Sequence, residues 1–185
     1  MHKLKHQILL VEDESFAKEL VRHCLSTQYD VVTRENGEEA LKYLYYKDPP
    51  ALILTDIDMP IMDGFSLLMQ LKKHIDFQHI PVVILSSRHE EKEMKRGLHY
   101  GAEDYLIKPF KPEQLIDSLH RIIETHYNKN KEEHMKILLN QVLSFLSSLP
   151  RWKRIAYLII IAPFILLSSP ILIPAVIIIY NQRMK

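Results

Sequence analysis

A single cysteine among 185 residues excludes an internal disulfide. It suits a reducing compartment, and Cys24, between Leu20 and Leu25, reads as a packed thiol rather than a reactive one. There is also almost no excess of charge. Lys and Arg number 24 against 23 Asp and Glu, for a net charge of +1, and that balance does not ask for nucleic acid as a partner. The ten histidines form no His-Glu-x-x-His pattern and no paired Cys/His spacing, so a histidine-based metal site is not expected. The basic start, Met1 to His6, is followed by an apolar run too short for a signal peptide. The first part of the chain is therefore expected to stay inside the cell.

What is present is a set of short apolar runs that stop abruptly on polar residues. Leu52-Ile53-Leu54-Thr55 ends on Asp56, then breaks into Ile57-Asp58-Met59-Pro60-Ile61-Met62-Asp63-Gly64. Gln7 to Val11 ends on Glu12-Asp13-Glu14. Pro81 to Leu85 ends on Ser86-Ser87. Asp104 to Ile107 ends on Lys108-Pro109-Phe110. Each run reads as a buried strand. In an open parallel sheet, ligands bind outside the carboxyl ends of the strands. Acids, a hydroxyl and an amine would then converge on one edge.

With those four motifs in order, VEDE, LILTDIDMPIMDG, PVVILSS and DYLIKPF, the chain from about Lys5 to His126 resembles the receiver domain of a two-component response regulator. The resemblance implies an α/β fold, a doubly wound five-stranded parallel sheet of flavodoxin-like order 2-1-3-4-5. Residues 1–126 form the expected receiver, 127–150 a linker and amphipathic helix, and 151–185 a membrane anchor.

Strands and helices alternate along the first part, which predicts a parallel sheet covered on both faces. A first helix is predicted over 15–26, with Ser15 as its cap and Phe16, Leu20 and Cys24 on its inner face. Asn36-Gly37 reads as a turn before a helix opened by Glu38-Glu39. Gly101 is placed for a chain reversal. The last receiver helix opens at Pro112-Glu113, with Leu115, Ile116, Leu119, Ile122 and Ile123 as its buried stripe.

Tyr127 to Glu133 is polar and reads as a linker. From Met135, apolar residues recur at Leu138, Leu139, Val142, Leu143, Phe145, Leu146 and Leu149 at helical spacing. That stripe needs cover from a second copy, the receiver or a membrane surface. After Arg151-Trp152-Lys153-Arg154, no charged residue occurs from Ile155 to Tyr180. A helix of that length reaches about 39 Å, and a bilayer core is about 30 Å thick. Trp152, Tyr157 and Tyr180 sit where interfacial aromatics would. A single span is favoured over a re-entrant hairpin turning near Ser168-Ser169-Pro170. The cationic cluster before the run places the receiver on the cytoplasmic side of the inner or plasma membrane.

The resemblance assigns roles. Asp56 is the phosphoacceptor, and Lys108 and Ser86 contact the phosphoryl group. Asp13, Asp56, the backbone carbonyl of Asp58, and Glu12 directly or through water, hold Mg2+. Ser86 and Tyr105 form the switch, with Tyr105 turning inward after phosphorylation, and a cis bond is expected before Pro109. Glu12 stands where many receivers have aspartate, one methylene shorter with the same charge. Asp58 and Arg88 occupy positions that in receivers tune loss of the phosphate.

The expected partner is a histidine kinase or phosphotransfer protein. Mg-dependent self-phosphorylation and slow autodephosphorylation are the only expected chemistry. No DNA-binding or catalytic output domain fits after His126 on this reading. A homodimer is left open. The competing readings are a non-switching membrane scaffold, or a phosphate sink whose output is turnover.

Overall fold

The computed structural model describes residues 5–87, 90–148 and 150, without the side chain at 146. The anchor expected over 151–185, the span Ile155–Tyr180 within it and position 88 lie outside the described residues. Among the described residues, no helix is long and apolar enough to cross a membrane. The chain divides into two units, Met1–Lys129 and Asn130–Lys185.

The first unit holds the sheet. The elements are β1 (Gln7–Val11), α1 (Ser15–Leu25), β2 (Asp30–Arg34), α2 (Gly37–Tyr46), β3 (Leu52–Asp56), α3 (Gly64–Lys73), β4 (Val82–Ser86), α4 (Glu91–His99), β5 (Asp104–Ile107) and α5 (Pro112–Ser148). All strand pairs are parallel, in the order β2-β1-β3-β4-β5. This is the expected sheet.

Its cause is visible in the strands. Every residue of β3 and β4 is buried, as central parallel strands covered on both faces must be. Successive side chains point to opposite faces. Leu9, Val11, Ile53 and Ile84 therefore face one core with Ala40 and Leu44 of α2 and Leu67 and Leu71 of α3. Ile8, Leu10, Leu54 and Val83 face the other, with Val21 and Leu25 of α1 and Leu115 and Leu119 of α5. Burying each such side chain contributes about 1.5–3 kcal/mol.

Three local readings are corrected. Phe16 and Leu20 are not the inner face of α1: they are 75% and 50% exposed, and Cys24 is only half-buried. Val21 and Leu25 carry the packing instead. Phe16-Leu20-Cys24 and Val21-Leu25 share helical spacing, and packing against the sheet decides which flank is inward. Ser15 does not cap α1. Glu14 stands at the cap and accepts from the Ala17 N–H at 3.3 Å.

The polar stretch 127–133 is helical, because α5 runs unbroken from Pro112 to Ser148, and the boundary between the two units falls within it, after Lys129. Between Glu113 and Leu149 there is no glycine or proline, and Lys and Glu are good helix formers. Polarity there marks a solvated helix, and Pro150 marks its limit.

Candidate functional site

The β3–α3 connection is built around Asp56. The Ile57 carbonyl accepts from the Met59 and Gly64 N–H groups, at 3.1 and 3.0 Å, which folds the loop back on the strand end. Gly64 is required by close approach: a Cβ there would lie 2.0 Å from the Asp56 carbonyl oxygen. Asp63 caps α3, accepting from the Ser66 N–H at 2.7 Å. Its carboxylate thus serves the helix. Ile61 is held at φ 66° with its side chain 77% exposed. For a β-branched residue this conformation is strained.

On the neighbouring strand, β1 ends where Glu12 and Asp13 begin. The carboxylates of Glu12, Asp13 and Asp56 offer oxygens all within 4.8 Å of one another. Glu12 is fully buried, Asp56 is 9% exposed and Asp13 is exposed. Lys108 follows the end of β5 and stands before a cis Lys108–Pro109 bond, as expected. Its Nζ lies 2.6 Å from Glu12 Oε2 and 3.4 Å from Asp56 Oδ2. The lysine is therefore shared, with the shorter contact to Glu12.

Asp56 is oriented by its own strand end. The Ile57 N–H donates to Oδ1 at 2.8 Å, and the Thr55 hydroxyl donates to the Asp56 carbonyl at 2.9 Å. Burial pushes the Asp56 carboxyl above its ordinary value, opposed by Lys108 and the Ile57 N–H. Burial also pushes Glu12 up, the Lys108 hydrogen bond opposes it, and the Asp56 charge adds to the rise. Three clustered carboxylates facing one ammonium leave a formal excess of two negative charges, which a divalent cation would neutralise. An all-oxygen donor set with one exposed member suits a hard ion that keeps some of its water. The residues present therefore fit Mg2+.

Ser86 ends β4, fully buried. The register pairs Asp56 with Leu85 and Ser86 with Ile107, so Ser86 sits one step beyond Asp56 on the adjacent strand. Its carbonyl accepts from the Lys108 N–H at 2.7 Å. Asp58 lies in the exposed part of the loop, two residues past Asp56.

Tyr105 lies on β5, paired with Ile84 of β4. It is inward, 6% exposed, and belongs to the core on the α2–α4 face. A Cβ at Gly97 of α4 would lie 3.3 Å from its ring and 2.9 Å from Ile84 Cδ1. The missing side chain at Gly97 is what lets α4 close over this ring. Sequence reading did not find Gly97, the Glu12–Lys108 pair or the capping role of Asp63. Only the Asp-Gly pair at fixed distance from Asp56 hinted at the last.

The chain matches known proteins over this unit. The sequence profile described as "Response regulator receiver domain" matches residues 8–120. The "Sensor histidine kinase TmoS" of Ectopseudomonas mendocina is 38% identical over 109 residues, 59% of this chain and 11% of that protein. The "Probable transcriptional regulator ycf27" of Porphyra purpurea is 36% identical over 116 residues, 62% of this chain and 46% of that one. Among solved structures, the signal receiver domain of a signal transduction histidine kinase from Syntrophus aciditrophicus aligns with a TM-score of 0.61 at 35% identity. That alignment covers 65% of this chain and 91% of the other. The chain thus spans less than half the length of these two curated relatives.

Proposed function

We propose, because this chain belongs to the response regulator receiver domain family over residues 8–120, that it takes a phosphoryl group onto Asp56 from a phosphohistidine donor and signals through protein contacts. One observation carries the reading. The Asp56 carboxylate ends β3 inside a three-carboxylate cluster, with the Lys108 ammonium 3.4 Å away.

The chemistry follows from that placement. A carboxylate oxygen of Asp56 attacks phosphorus, the P–N bond to the donor imidazole breaks, and the leaving imidazole takes up a proton. The Ile57 N–H fixes one carboxylate oxygen, leaving the other directed toward Lys108. Glu12 and Asp13, with Asp56 and the Asp58 carbonyl, would hold Mg2+. When bound, the ion supplies positive charge against the approach of one anion to another. Lys108 is already shared between two carboxylates. As the Asp56 carboxylate is esterified, the ammonium can turn to the phosphoryl oxygens. The hydroxyl of Ser86, one step along the next strand, would then donate to a phosphoryl oxygen.

A new acceptor beside Ser86 would draw on β4 and on Tyr105 behind it, biasing the surface made by α4 and β5. The run Ile155–Tyr180 would tether this unit to the inner face of the cell membrane, raising its effective concentration near membrane-bound donors.

The test uses residues 1–130 with magnesium and a small acyl-phosphate donor. Wild-type protein should gain an acid-stable, base-labile phosphate, and Asp56→Asn should gain none. Unmodified wild-type protein would overturn the reading. Washing membranes at high salt, which screens surface charge, tests the tether: the full chain should stay with the membrane and the chain without 155–180 should be released.

A further inference from the structure

The two edges of the sheet carry different chemistry. Glu12, Asp13, Glu14, Asp56 and Asp58 crowd the carboxyl edge. At the amino edge, α2 ends at Tyr46 just before β3, and α3 ends at Lys73 before β4. There Tyr46 is 79% and Ile75 75% exposed. They project from a packed aromatic base. The Tyr45 ring stands edge-on to His74 and Phe77, at 5.5 and 5.3 Å, and His74 stacks on Phe77 at 4.3 Å.

Lys42, Lys47 and Lys73 are exposed around these side chains, with Asp48 and Asp76 as the acids among them. Asp76 lies 3.9 Å from His74 Nδ1. Lys72 is committed elsewhere, donating to the Gln78 and Ile80 carbonyls. Exposed tyrosine and isoleucine ringed by lysine is the pattern of a protein surface that meets lipid headgroups.

We infer that the ends of α2 and α3 form a docking surface for an anionic bilayer, with Tyr46 and Ile75 entering the headgroup layer and Lys42, Lys47 and Lys73 facing lipid phosphates. Charge favours this occupant: Lys42, Lys47 and Lys73 outnumber Asp48 and Asp76 on this patch, whereas the carboxyl edge gathers Glu12, Asp13, Glu14, Asp56 and Asp58. Asp56 is then left facing water, where a donor can reach it. The exit of the chain agrees. Tyr127 and Asn128 of α5 line one groove with Lys5, His6, Gln28 and Tyr29, the residues that precede β1 and β2. The chain therefore leaves the receiver unit from the amino edge. This last point rests on the tether proposed above.

The test needs no tether. Residues 1–129 contain the whole sheet and both cores, and solved receivers of similar extent stand alone. This unit should co-sediment with vesicles of equal parts phosphatidylglycerol and phosphatidylcholine, and not with phosphatidylcholine alone. The double variant Tyr46→Ser, Ile75→Ser should lower partitioning about tenfold. The triple variant Lys42→Gln, Lys47→Gln, Lys73→Gln should lower it about a hundredfold, at roughly 1 kcal/mol per lysine. Both variants should still be phosphorylated by acetyl phosphate, which shows that they are folded.

Wild-type protein that ignores anionic vesicles, or variants that bind as wild type, would overturn the inference. So would a wild-type dimer that these substitutions dissolve, because the surface would then belong to a second copy. If residues 1–129 ignore anionic vesicles while the full chain is membrane-bound and the chain without 155–180 is not, this inference fails and the tether stands.

Discussion

The carboxyl edge of the sheet and the core beneath it follow opposite rules. In the core, strands alternate apolar side chains between two faces, and β3 and β4 are buried throughout. At the edge, one residue further on, Glu12 is fully buried with a charge, Gly64 touches the Asp56 carbonyl and Ile61 sits at a strained φ. The difference teaches where stability is made and where it is spent. The core supplies the folding free energy, and the edge holds groups that folding alone would not gather.

The contrast can be broken most severely at Gly64. Gly64→Ala puts a methyl group 2.0 Å from backbone oxygen, and neither side can yield without moving the strand end. It should cost about 3 kcal/mol or more in chemical denaturation, as much as a core Leu54→Ala. A loss below about 1 kcal/mol would mean that the loop is not packed on Asp56 as described.

Lys108→Met is expected to come next. It leaves Glu12 buried without its 2.6 Å ammonium partner. Stability at pH 7 should fall by about 2 kcal/mol, since Lys108 itself is partly exposed. The deficit should shrink as the pH falls and Glu12 takes up a proton. A deficit that stays constant with pH would show that Glu12 is not the group left uncompensated.

Asp56→Asn has the opposite sign. Burial raises the native Asp56 carboxyl, so the native state binds its proton more readily than the unfolded chain does. Such a group lowers stability as the pH rises through the window from about pH 4 up to the raised native value. Without divalent ions, Asp56→Asn should stabilise the unit at pH 7 by on the order of 1 kcal/mol. The advantage should vanish toward pH 4. Magnesium should raise the Tm of wild type and leave that of the variant nearly unchanged. Equal magnesium shifts in the two proteins would separate the ion from Asp56.

The smallest effect is expected at Ile61. Ile61→Gly removes the strain of a positive φ but adds chain entropy to the unfolded state. A net stabilisation of about 0.5–1 kcal/mol is expected from equilibrium denaturation, and a loss would show that the exposed side chain contributes packing.

The same contrast explains what could be read in the sequence. The sheet and the residues at its strand ends were legible because each strand is a short apolar run and each stop is a distinct polar type. Asp56, Glu12-Asp13, Ser86 and Lys108 mark their own strand ends. The inner face of α1 was not legible, because Phe16-Leu20-Cys24 and Val21-Leu25 have the same helical spacing. Only packing against the sheet separates them. The continuity of α5 was hidden because a solvated helix and a linker share the composition of Tyr127 to Glu133. The Glu12–Lys108 pair joins residues 96 apart, and no local pattern carries that information. Gly97 was missed for the same reason: its use is to leave room for Tyr105, a residue on another element.

The most direct measurement is a crystal structure of residues 1–129 grown with magnesium and beryllofluoride. The account predicts beryllofluoride on an Asp56 carboxylate oxygen, the cation held among Glu12, Asp13 and Asp56, and the Lys108 ammonium turned from Glu12 to a fluorine. A cation bound elsewhere, or Asp56 unmodified with Lys108 still on Glu12, would contradict it.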